Sequence, residues 1–544
     1  MTRAPRGRAR TDPARASGLV AAALVGLALV AGGACAPSRR LGSPPRASAP
    51  IARADDPAAR RGGTIVVGLA ESVDPAHAPS PTIDSERLVF RNLYETLVRV
   101  GVDGAIHPGL ASVWERSCDG REWTFVLRDG ARLWDGTPLE PVDVRLSWMT
   151  AERRDRAAGR AVPWTMLDGG AEAVVVREDG RITARLAAPA GETPAFFAHP
   201  ALAIADRRRG ETWPIGTGAF RPVACDGGAR VADGDLVCLP NEQRPRDDAP
   251  WVRLVFRVRP GADPRDLHAE GVDAFLVRDR ATLAYFATVS GWRAVALPAD
   301  RLYVFIVPTV PPRPWDLGGP PWDTVLSEDA RAGLARDAVT SDAVSATSLY
   351  LSDHSSAGEE CSMPDLARPS ETPRIDRRLG GPDQTAGFNS RLLFDEDDED
   401  ARRLAERIVV LGDMRAARYA APTPLGVKSP ELEGALALGA AQAIIARVER
   451  RESAACAQLA DLARSAPWLE PILAKIGSEA LPPGVSGTSA ARLAERLADQ
   501  GIVIPLVTTR AHLVTRDRLA GVEADGDGAV RFDRAGWAAE ASER

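Results

Sequence analysis

The chain has 544 residues, of which 74 are acidic and 68 basic, with a formal net charge of −6 and 45% hydrophobic residues. A mildly acidic balance argues against nucleic acid as a partner, and this length exceeds a single hydrophobic core, so two or three domains are expected. An aromatic share of only 5% disfavours an oligosaccharide receptor built on aromatic platforms. In chain order, Arg3, Arg6, Arg8, Arg10 and Arg15 form a basic start, and residues 18–34 are an uncharged run of apolar and small residues ending at Cys35. That run is short for a membrane span and has the layout of a secretory signal. Residues 1–34 therefore read as a signal peptide. A Cys directly after small residues makes Cys35 the expected lipidation site of an exported, membrane-anchored lipoprotein, although Gly32 stands where Leu is usual. Cleavage after Ala34 or Ala36, giving an unanchored periplasmic protein, is the alternative. Residues 35–61, rich in Pro, Ala and Arg, read as a flexible tether.

Residues 64–69 are a β-branched apolar run, a buried-strand signal, followed by a polar loop over 71–81. Asp84 or Ser85 is expected to cap a helix whose Phe90, Leu93, Tyr94 and Leu97 recur on one stripe. Residues 123–127 and 131–134 are expected strands around a turn at Asp129-Gly130, with a second turn at Asp135-Gly136 and a helix starting near Glu140. Residues 341–387 carry little periodicity and read as long irregular connections. A strand at 391–394 follows, then a helical stripe of Ala401, Leu404, Ala405, Ile408 and Val409 with Gly412 beyond its end. The acidic run 395–400 suits a helix start, where carboxylates meet free amides and the positive end of the dipole, better than a metal site.

No catalytic apparatus is visible. The six His are scattered with no zinc spacing, and neither a G-x-S-x-G elbow nor a phosphate-binding G-x-x-x-x-G-K-S/T loop occurs. Apart from Cys35, the cysteines are Cys118, Cys225, Cys238, Cys361 and Cys456. Cys225 and Cys238 flank a turn-rich stretch, so a hairpin disulfide between them is expected, worth roughly 3 kcal/mol in the chain-entropy model. The odd number leaves at least one thiol over.

The pieces in order resemble the family 5 extracellular solute-binding proteins, the peptide, nickel and related receptors of ABC importers. The family's GGTL-type strand, S-L-D-P loop, Y-E-x-L helix end, G-x-x-x-P-x-L-A-x-x-W, T-F-x-L-R-x-G and D-G-x-P-x-x-x-x-D-V find counterparts at 62–69, 72–75, 94–97, 104–114, 123–130 and 135–144. Further along, 216–220 with Asn241, 252–258, 271–277, 504–506 and Gly521-Val522 continue the resemblance, while Pro308 replaces an expected Asn.

The resemblance implies an α/β, type II periplasmic-binding-protein fold in its large two-lobed form with an extra subdomain, three domains in all. Lobe I would take 62–97, 213–298 and 505–544, with a subdomain at 98–212 inserted, and lobe II would take 299–504. It implies a substrate-binding component that captures a small solute, peptide-like or other, and delivers it to ABC permease subunits. Such a chain would act as a monomer, without cofactor or metal. The alternative is a membrane-anchored sensor or scaffold with a degenerate second lobe. Candidate ligand contacts are Glu71, Ser72 and Val73 after the first strand. Peptide receptors of the family carry a W-x-A-D-Y-x-D-P-type segment whose Asp pairs with the ligand's α-amino group. The corresponding stretch here has neither Asp-Tyr nor Asp-Pro. Glu449 and Glu452, beside Arg450, are either substitutes for that anchor or ordinary surface ion pairs, and an arginine-lined site for an anion is the third reading.

Overall fold

In the computed structural model the described residues are 63–158, 163–187, 193–207, 212–223, 231–244, 252–308, 321–349, 360–361, 391–415, 422–449, 459, 462–463, 465–479 and 488–538. The strand Thr64–Leu69 lies inside a seven-stranded sheet, parallel to Arg253–Val258 on one side and Ala274–Val277 on the other. Gly234–Pro240 and Phe220–Pro222 extend one edge antiparallel, and His512–Arg516 with Trp292–Ala296 extend the other. Because both faces of this strand are covered, its apolar run is continuous rather than alternating. Ile65 and Val67 join one core with Leu88, Phe90, Leu254 and Phe532. Val66 packs on the opposite face against Leu267, Val272 and Phe275.

The first helix, Asp84–Leu93, buries Leu88, Val89, Phe90 and Leu93 in that core. It ends earlier than its apolar stripe suggests, because the next residues find better backbone partners elsewhere. Tyr94 is extended and its hydroxyl donates to the Pro214 carbonyl at 3.0 Å. The Glu95 carbonyl accepts from Ile204, and that of Leu97 accepts from Gly109 and Ala111. Residues 131–134 are not a strand either; the Leu133 amide donates to Thr137 within a turn.

A third, four-stranded antiparallel sheet pairs Ala111–Arg116, Glu122–Leu127, Ile182–Arg185 and Val175–Val176. The helix Pro141–Ala157 covers it. Its start is set by Pro141 and by reciprocal bonds between Glu140 and Asp143, and its Trp148 stacks on Phe197. The expected Cys225–Cys238 bridge is overturned. Cys238 is a buried thiol rather than half of a disulfide, whereas Cys118 is disulfide-bonded. Strand alternation explains this, since Leu236 and Cys238 share the inward face of Gly234–Pro240 and point into the core. Cys225 lies outside the described residues.

The second large sheet has six strands in the order Asp342–Ser345, Val503–Arg510, Arg301–Ile306, Ala443–Glu449, Arg391–Asp395 and Thr423–Val427. Arg301–Ile306 is central: Leu302, Val304 and Ile306 enter one core, Tyr303 and Phe305 the other. The helix Glu399–Arg415 covers the second face through Ala401, Leu404, Ala405 and Ile408, with Gly412 inside it rather than beyond its end. The chain passes between the sheets at 297–301 and 509–511, where Leu297 donates to Ala511 at 3.0 Å and Asp300 to Thr509 at 3.2 Å. The expected boundary at 505 thus falls within a strand of the second sheet.

The Gly216-Thr217-Gly218 turn is set by close approach. A Cβ on Gly218 would meet the backbone of Leu93 and lie 2.7 Å from the Asn92 carbonyl oxygen, at the last turn of the first helix. Gly218→Ala is expected to cost about 1–3 kcal/mol and lower the melting temperature by several degrees. Gly434→Ala, on the helix Ser429–Leu438 with nothing within 4 Å of its Cβ position, should be neutral or stabilising. Thermal unfolding of both variants checks this.

Candidate functional site

In open α/β sheets, ligands bind beyond the carboxyl ends of parallel strands, where the connections diverge. Here both large sheets bring such ends to the same place. In the first sheet these are the ends at Leu69 and Val277; in the second, Asp395, Val427 and Glu449. The residues just past Val277 bridge to the second sheet through Asp279 and Ser341. Arg301, in register with Glu449 on one side and Thr509 on the other, reaches back to the first helix.

The contact it makes there is with Asp84. One oxygen of that carboxylate accepts from Arg278 Nε at 2.9 Å and Arg301 Nη2 at 3.0 Å, and the other from Arg87 Nη2 at 2.7 Å. Arg278 also forks onto Asp300 at 2.8 and 2.6 Å, and Arg87 lies 3.3 Å from the same carboxylate. Burial opposes ionisation of Asp84, but the guanidinium groups of Arg278, Arg301 and Arg87 outweigh it and hold the carboxyl far below the usual range. Each carboxylate is bound by more than one arginine, so the pair positions the junction.

The loop before this helix is wound around a second buried acid. Glu86, 1% exposed, accepts from the Asp74 and Thr82 amides, the Thr82 hydroxyl and His77 Nδ1. On the second sheet, Tyr303 and Arg447, side by side in register, both donate to Asp398, which also caps the Ala401 amide. Burial and the adjacent Asp398 push the Tyr303 hydroxyl well above its ordinary value. Asp400 accepts from the Thr340 amide and hydroxyl at 2.7 and 2.8 Å and from the Ser341 hydroxyl. The acidic run is thus used by the protein itself.

The residues singled out from sequence divide as follows. Glu71 accepts from the Ser85 amide at 3.0 Å, satisfying one free donor of the first helix. Ser72 is partly exposed beside it. Val73 is not available to a ligand: it is fully buried, and its amide and carbonyl are both bonded to Val231. Glu449 closes the strand Ala443–Glu449 opposite Arg301, so its backbone shares the junction with Glu71 and Asp84. Cys35, Arg450 and Glu452 lie outside the described residues. Sequence reading missed Arg278, Asp300, Arg301, Asp398 and Arg447 as site residues and saw Asp84 only as a cap. For Arg278, Asp300 and Arg301 the one readable signal is a charged residue beside or at the end of an apolar strand.

Asp84→Asn should leave Arg301 without its carboxylate and cost roughly 2–4 kcal/mol, the usual range for a buried pair discounted for partial exposure. Because the folded-state pKa lies below the ordinary 3.8, the carboxylate's contribution is complete above that value and is lost as pH falls through the folded pKa. Unfolding measured from pH 7 to pH 2 should therefore show a shallower acid loss in Asp84→Asn than in wild type.

The family model for bacterial extracellular solute-binding proteins, family 5 Middle, matches residues 105–234. Among curated relatives, the periplasmic murein peptide-binding protein MppA of Escherichia coli is 46% identical over 78 residues, 14% of each chain. The oligopeptide-binding protein OppA of Bacillus subtilis is 38% identical over 63 residues, 12% of each chain. These two matches span about a seventh or less of the relatives' own length. The structural likeness extends much further. Escherichia coli MppA covers 89% of this chain and 100% of its own at a TM-score of 0.58 and 16% identity. Haemophilus influenzae OppA in complex with RPPGFSPFR covers 88% and 100% at 0.61 and 14%. NikA from Brucella suis in complex with Fe(III)-EDTA covers 87% and 100% at 0.61 and 15%. The fold is that of the large type II periplasmic binding proteins, and residues 105–234 are similar to the family 5 model of the bacterial extracellular solute-binding proteins.

Proposed function

We propose that the chain is the substrate-binding component of an ABC importer, capturing a small solute between two lobes and delivering it to a membrane permease. Lobe I is built on the seven-stranded sheet with the third sheet's subdomain (about 98–212) attached, and lobe II on the six-stranded sheet (about 299–510). The observation that carries this reading is the convergence of parallel-strand carboxyl ends from both sheets on one junction, crossed among the described residues by two chain segments. Such a layout favours hinge motion, and a solute stabilises the closed form by its differential affinity for it. Native mass spectrometry of protein purified from the cell envelope should show one co-purifying small molecule. Protein that carries none, and binds none across peptide, amine, anion and metal-chelate panels, counts against capture.

The ligand class follows from the second lobe. Glu449 sits at the junction, but its stretch lacks the Asp of the amine-binding segment found in peptide receptors. Without that partner, a peptide's ammonium would be buried unpaired, at a cost of several kcal/mol. Ordinary di- to pentapeptides should therefore bind weakly or not at all. Calorimetry with a mixed tripeptide pool, free and N-acetylated, decides. Micromolar binding abolished by acetylation would overturn this expectation and assign the anchor to Glu449 or Glu452.

The protein is proposed to be held at the membrane through a lipid on Cys35. The tether would join the fold at Thr64, the amino end of the first strand and so the end away from the junction. Cys35→Ser should release the protein from membranes or block its processing. If wild type and variant both fractionate as soluble with the same mature N-terminus, the anchor is excluded.

A further inference from the structure

Among the described residues, the two sheets are joined by more than the two covalent crossings at 297–301 and 509–511. Just past the end of the first-sheet strand Ala274–Val277, the chain pairs with residues leading into Asp342–Ser345, the edge strand of the second sheet. Asp279 and Ser341 form an antiparallel bridge, the Arg280 amide donates to the Thr340 carbonyl at 3.0 Å, and the Asp342 amide to the Arg278 carbonyl at 3.0 Å. Side chains secure both halves of this staple. On the first-sheet side, Asp279 caps the helix Arg280–Phe286 through the Ala281 and Thr282 amides. On the second-sheet side, Asp400 holds Thr340 and Ser341.

Arg280 closes the staple. Its guanidinium donates to the carbonyls of Arg336 at 2.9 Å, Ala335 at 3.2 Å and Val339. These lie at the end of the second-sheet helix Glu328–Asp337. The last carbonyls of a helix lack intrahelical partners and carry the negative end of its dipole, so a forked cation there satisfies several acceptors at once. Arg280 starts a helix that belongs to the first sheet, yet it caps a helix of the second.

We propose that Arg280 clasps a third, non-covalent connection between the lobes, which pins one edge of the junction. Lobe motion is then a swing about an axis through 278–280/340–342 and the crossings at 297–301/509–511, with the junction opening on the opposite edge. The inference deepens the solute-capture reading, because it names what governs the lobes' motion. Its primary test needs no solute, so its failure and the failure of that reading are separable.

Hydrogen–deuterium exchange of the full chain compares wild type with Arg280→Ala and Arg280→Lys. In wild type, peptides covering 278–282 and 339–343 should be protected. In Arg280→Ala they should exchange about tenfold faster, while peptides covering 254–258 and 513–515 stay unchanged. Arg280→Lys keeps the charge but lacks the fork, and should fall between. Loop-like exchange of both staple peptides in wild type, or no change in the variants, overturns the proposal. If Arg280→Ala loosens the whole chain, Arg280→Lys decides: faster exchange confined to the two staple peptides supports the clasp, and unchanged exchange refutes it. Small-angle scattering should show a larger radius of gyration in the variant that keeps its core protected, and an identical profile refutes the role in lobe motion.

Discussion

Asp84 is held by guanidinium groups that come from both sides of the molecule: Arg87 on its own helix, Arg278 at the end of a first-sheet strand, and Arg301 at the start of a second-sheet strand. Removing a carboxylate and several guanidinium groups from water is tolerable only if each finds its partner. The cluster therefore dictates where the first helix begins, how the crossing segment near Asp300 runs, and how the second sheet's central strand starts. It works together with Glu71, which satisfies the Ser85 amide at the same helix start, and with Glu86, around which the preceding loop folds. The loop, helix and crossing strand that frame the junction are one electrostatic unit.

Around that unit the architecture is governed by burial on both faces of two large sheets. Thr64–Leu69 and Arg301–Ile306 each feed two separate cores, which leaves the sheet ends as the places where polar side chains gather. A junction of this kind is generic to the fold and does not name a ligand. Near the end of the second sheet, Tyr303 and Arg447 both donate to Asp398, next to the end of Ala443–Glu449. Among the described residues, the acids at the junction are engaged by the protein itself: Asp84 and Asp300 are ion-paired, Glu71 caps a helix amide, and Asp400 accepts from an amide and hydroxyls.

The parts of the fold legible in sequence are those with local causes. The run at 64–69 is a strand because its apolar and β-branched residues suit a position covered on both faces. The helix from Pro141 begins where Pro and a capping pair allow it, and the stripe through Ala401, Leu404, Ala405 and Ile408 packs as its period suggests. Errors arose where a long-range partner outbid the local signal. Leu97 carries the helical period but gives its carbonyl to Gly109 and Ala111. Residues 131–134 have strand composition but close a turn. Cys238 has the spacing for a hairpin disulfide, yet the inward face of its strand claims it for the core.

By itself, then, the sequence determined the order of strands and helices, the identity of much of the core and the family resemblance, because hydrophobic period, capping and turn chemistry act over a few residues. The tertiary structure alone decided which charges meet. Asp84 and Arg301 lie 217 positions apart, as do Asp84 and Arg278 at 194, and no local pattern marks either pair. The same holds for Glu71, which became a helix cap, for Val73, which became core, and for Arg280, whose role depends on a helix end more than fifty residues away. An ion pair is favourable only where folding removes both partners from water at the same point, and that point is set by the packing of the two sheets.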